Sequence, residues 1–96
     1  MWFVKYLRDG VRSGQITTSV RVWHSPRVKV GKRYQMEEGQ IEIDSIEPIA
    51  ANKITTKIAR ACGFASVDDL MKIARHGSGE NIYLIRFHYV APKNAR

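Results

Sequence analysis

The sequence predicts an α+β domain: a small barrel or strongly curved sheet covered by about three helices. Three observations predict it. Stretches of helical periodicity sit at the start of the chain and in its third quarter. Stretches with alternating apolar and polar residues fill the space between them. The last strong pattern, Asn81 to Val90, alternates too, so it must reach back to pair with earlier strands. Ninety-six residues fit one domain, 1–96, with one modest core.

Phe3 to Ser13 reads as a short helix, with Phe3, Leu7 and Val11 on one face. Gly14 suits the left-handed position that ends it. Thr17 to Trp23 reads as a strand. Val20 and Val22 share one face, and Ser19, Arg21 and Trp23 share the other. Ser25-Pro26 breaks it. Val28 to Val30 is a short extended piece before a turn at Gly31-Lys32. Arg33 to Met36 and Gln40 to Ile49 form a hairpin around Glu37-Glu38-Gly39, with Ile41, Ile43 and Ile46 buried and Pro48 at an edge.

Ile54 to Cys62 reads as a second helix, with Ile54, Ile58 and Ala61 inward and Gly63 stopping it. Ser66-Val67-Asp68-Asp69 is a capping box for a third helix through Leu70, Met71, Ile73 and Ala74. Arg75 and His76 fall at its negative end, and Gly77-Ser78-Gly79 breaks it. In the closing strand Tyr83, Ile85, Phe87 and Tyr89 oppose Leu84, Arg86 and His88. The tail from Ala91 reads as frayed.

Sixteen lysines and arginines against nine acids give a net charge of +7. The imbalance is concentrated. Residues 1–35 hold eight bases and one acid, whereas residues 36–47 hold Glu37, Glu38, Glu42, Asp44 and Glu47 and no base. A basic half suits a polyanion, because neutralising phosphates releases counterions. The acidic hairpin 37–47 suits a basic protein partner. No run approaches the roughly 20 apolar residues of a membrane span, and no secretory signal is visible. With a single cysteine, a reducing cytoplasmic setting is expected. His24, His76 and His88 are scattered, so the spacing predicts no metal site, and nothing calls for a cofactor. Cys62 ends an apolar helical run and reads as a buried, inert thiol.

Three stretches resemble the ASCH domains of the PUA-like superfamily: the helix ending at Gly14 with the strand ITTSVR, the segment IARACGFASVDDLMKIA, and the closing strand NIYLIRFHYV. The resemblance covers most of the chain in order. It implies a small β-barrel with helices over an open cleft, and a role in recognising RNA or a nucleotide. Some members are enzymes, including acetylcytidine hydrolases and a ribonuclease. The hydrolases use a lysine and a threonine on the early strand and a glutamate in the helical insertion. Here the lysine position falls on Ile16, the threonine on Ser19, and the glutamate at or near Cys62. The family's Gly-Asp turn is Gly31-Lys32. Acetylcytidine hydrolysis is therefore not expected.

The expected function is RNA or nucleotide binding in a basic, hydroxyl-lined cleft. Thr17, Ser19 and Arg21 would present hydroxyls and a bidentate guanidinium. Trp23 and Tyr34 either stack bases or pack in the core. Arg27, Lys32, Arg33, Lys57 and Arg60 supply positive charge. The alternatives are a ribonuclease or modified-nucleoside hydrolase, with Ser19 and Lys57 as candidate catalytic residues, and an adaptor that binds proteins through the acidic hairpin.

Overall fold

A computed structural model describes residues 3–74 and 81–92. Arg75, His76, the Gly77-Ser78-Gly79 break and the last four residues lie outside them. Helix α1 (Lys5–Ser13) comes first, and Gly14 closes it in the left-handed conformation at φ 83°. Strand β1 (Thr18–Trp23) follows, then β2 (Arg33–Met36) and β3 (Gly39–Pro48). A 3₁₀ turn (Ala51–Lys53), α2 (Thr56–Ala61) and α3 (Val67–Ala74) lead to β4 (Asn81–Val90). No helix among the described residues is long and apolar enough to cross a membrane.

The four strands form one curled antiparallel sheet in the order β1-β4-β3-β2. The closing strand thus runs between β1 and β3 and joins the two ends of the chain, as its two-sided apolar pattern requires. Its partners are Ser19 opposite Ile85, Arg21 opposite Tyr83, and Ile43 opposite Phe87. A register shift between Ile43 and Ser45 marks a bulge in β3 at Asp44.

Apolar clusters lie on both faces of the sheet at β1, while the outer face of β3 and the end of β4 stays exposed. On one, Phe3 and Val11 pack with Trp23, Val28, Met36, Ile41, Ile43, Ile85 and Phe87. On the other, Val20, Val22 and Leu84 pack against Ile54, Ala59, Cys62, Leu70 and Ala74. The alternation in β1 therefore separates two cores, rather than a core from solvent.

Several local expectations change. The first helix starts at Lys5 and not at Phe3, which drops as a buried side chain onto Phe87 at a ring separation of 5.3 Å. Residues 28–30 form no strand; Val28 alone turns into the core. The second helix is split: Ile54 lies between the 3₁₀ turn and α2, and Thr55 caps α2 by accepting from the Ile58 N–H. Its inward residue is Ala59, while Ala61 is exposed. Ser66 caps α3 as expected, accepting from the Asp69 N–H at 3.1 Å.

Candidate functional site

Strand β1 lies at the edge of the sheet, and its free side faces a cavity of about 410 Å³. The Phe87 N–H donates to the Thr17 carbonyl, so residues 17, 19, 21 and 23 bond to β4. The backbone groups of Thr18, Val20 and Val22 then point along the open edge. Phe3, Val4 and the α1 residue Leu7 wall the cavity on one side. Cys62, Phe64 and the α3 residues Leu70, Ile73 and Ala74 wall the other. Side chains from both faces of β1, residues 19–23, line it between them.

Arg21 is the only charged side chain among the described lining residues. It is partly buried, and its Nε–H donates to Ser19 Oγ at 2.9 Å. Its guanidinium carbon lies 5.1 Å from the centre of the Phe3 ring, a cation–π contact. No carboxylate among the described residues pairs with it. Burial pushes its pKa down to about 10, while the nearby Cys62 acts the other way. The arginine still carries its charge at neutral pH. Burial likewise pushes the Cys62 thiol up to about 12, against the Val20 backbone and the Arg21 charge, so it stays protonated at neutral pH.

The residues named from sequence separate into three groups. Ser19, Arg21 and Trp23 come together at the cavity. Trp23 is buried, however, and its ring packs 6.2 Å from that of Tyr83. Arg27, Lys32 and Arg33 lie exposed in or beside the loop after β1, and Arg33 is engaged with Glu42 at 3.0 Å. Tyr34 packs against the core, and its hydroxyl accepts from the Lys29 N–H at 2.9 Å, which pins that loop. Lys57 and Arg60 are exposed on α2 and do not line the cavity, and Thr17 is exposed before β1. Ile16 packs against the first core and lines no part of the cavity.

The Ser19–Lys57 pair is not assembled: the recorded partner of Ser19 Oγ is a guanidinium, which cannot accept its proton. The apolar walls from Phe3, Phe64 and α3 were missed by sequence reasoning. Each residue reads as ordinary core in its own segment, and only packing leaves a gap between them.

Glu42, Asp44 and His88 also meet on the outer face of β3 and β4, with ligand-type atoms within 4.8 Å of one another. The histidine spacing gave no hint of this, since strand pairing unites residues 44 apart. They form part of a cross-strand chain: Arg33 holds Glu42, and His88 Nδ1 lies 2.9 Å from Asp44.

Neither a family model, nor a curated protein, nor a solved structure matches the chain.

Proposed function

We propose that this chain is an ASCH-like binding module for RNA or a nucleotide, with Arg21 as the anion receptor of the cavity along β1. One observation carries this reading. A guanidinium is drawn into an apolar, aromatic-walled cavity without a carboxylate partner among the described residues. Burying an unpaired charge is costly, and an incoming anion would offset that cost. The Phe3 ring and the Ser19 hydroxyl hold the fork in place. The exposed bases Arg27, Lys29 and Lys32 on the adjoining loop add a field that favours polyanions.

Binding is favoured over hydrolysis because no general base among the described residues bonds to Ser19. The adaptor reading draws less support from the charge pattern. Every acid of the hairpin is already occupied within the chain: Glu37 by Arg8, Glu38 by Arg12, Glu42 by Arg33, Asp44 by His88 and Glu47 by Arg86.

The test is a titration of fluorescent single-stranded RNA at several salt concentrations, with wild type and Arg21→Lys. Affinity should fall with salt, by roughly 0.7 in logarithmic slope per phosphate neutralised. Arg21→Lys should weaken binding further, because lysine lacks the bidentate fork. Salt-independent affinity, or equal binding by both proteins, would refute the proposal.

A further inference from the structure

Helix α1 exposes an aromatic ring beside the cavity. Tyr6 is 67% exposed, and among the described large hydrophobic residues only Val30 is comparably open. An isolated exposed ring would need no explanation. Tyr6 is not isolated. Its ring stands edge-to-face on Phe64, with centroids 6.4 Å apart and planes at 88°. Phe64 lines the cavity, as do Val4 and Leu7, which flank Tyr6 in the chain. The aromatic wall thus continues from Phe64 to a solvent-exposed ring, the arrangement on which nucleobases stack.

The charge inventory narrows the ligand. One cation and no carboxylate line the described part of the cavity. Sites for di- and triphosphates gather several donors around the phosphates, usually with a metal ion held by acidic groups. None of that is present here among the described residues.

We infer that the site takes a single nucleotide with one phosphate group, its phosphate on Arg21 and its base stacked on Tyr6 beside Phe64. This rests on the nucleotide reading proposed above. The phosphate belongs either to a free nucleoside monophosphate or to one link of an RNA strand, and the chemistry is the same for both.

Calorimetric titration separates these possibilities. The ligands are adenosine monophosphate, adenosine triphosphate, inorganic phosphate and an oligoadenylate without terminal phosphates. The proteins are wild type, Tyr6→Ala, Tyr6→Phe and Arg21→Met. Tyr6→Ala should weaken the monophosphate or the oligonucleotide by roughly five- to hundredfold, the range for removing one base–aromatic stack. Tyr6→Phe should restore it, and the affinity for inorganic phosphate should not change. The triphosphate should bind no tighter than the monophosphate. Preference for the monophosphate makes the free nucleotide the ligand, and preference for the oligonucleotide makes it the strand. If Tyr6→Ala binds either ligand like wild type while Arg21→Met has lost it, the stacking inference falls and the nucleotide reading stands. A triphosphate more than tenfold tighter refutes the single-phosphate assignment. If wild type binds neither nucleotide, or Arg21→Met binds as wild type does, the nucleotide reading fails and takes this inference with it.

Discussion

Burial pushes the pKa of the Arg21 guanidinium down to about 10. Since the charge persists at pH 7, the shift registers a cost of keeping it in the cavity. Arg21→Met keeps a long, flexible side chain against Phe3 and removes the charge. The variant should be as stable as wild type or gain up to about 1 kcal/mol, since replacing an ill-compensated buried charge by an apolar group is often stabilising. A thermal melt reads this as no change or a rise of several degrees, alongside lost anion binding. A loss of more than about 2 kcal/mol would instead make Arg21 a structural residue. At Cys62 the pKa is raised, so the neutral thiol's contribution to stability is complete below the unfolded value near 9.0 and is lost as pH climbs towards 12. Iodoacetamide at pH 8 should therefore label native Cys62 far more slowly than the urea-unfolded chain. Equal rates would show the thiol to be open and ionisable.

Among the elements, the β2–β3 hairpin shows how a correct pattern can hide the reason for a residue. Gly39 reads as a turn glycine, but it is the first residue of β3, and Glu37 carries the left-handed conformation at φ 54°. Gly39 is needed for room: a Cβ there would lie 2.6 Å from the Val90 carbonyl oxygen and collide with the Tyr89 hydroxyl. Gly39→Ala should cost about 1–3 kcal/mol through overpacking against backbone, seen as a lower melting temperature. An unchanged melt would mean that β4 can yield at its end. The same hairpin is tied to α1 by Arg8–Glu37 at 3.3 Å and Arg12–Glu38 at 3.1 Å, with Asp9 also on Arg12. These links are exposed, so each adds little energy. They join the hairpin to α1, which carries Leu7 of the cavity wall and Tyr6 beside it.

Over the whole molecule, pairing redistributes the charge. The sequence shows a basic half followed by an acidic hairpin. The fold brings the two together, with Arg8, Arg12 and Arg33 neutralising Glu37, Glu38 and Glu42. The net +7 is thereby concentrated on bases with no recorded ion-pair partner among the described residues, including Arg21, Arg27, Lys29 and Lys32. That redistribution is in keeping with the polyanion partner proposed above.

The sequence by itself determined the α+β class, the order of the elements and the placing of Ser19 and Arg21 on β1. Periodicity, capping residues and glycine stops are local signals, and they are written within a few residues of the structure they dictate. Ser66, Gly14 and the alternation of residues 81–90 are examples. Only the tertiary structure decided that both faces of β1 are covered, that Trp23 is buried, and that Lys57 does not share the cavity with Ser19. It alone brought Phe64 and Arg21 to one cavity and set the Tyr6 ring against Phe64. Such facts depend on which distant segments meet across a shared strand. Apolar residues that build a wall and those that fill a core look alike in sequence, because both are selected to leave water. The gap between them exists only once the helices have settled on the sheet.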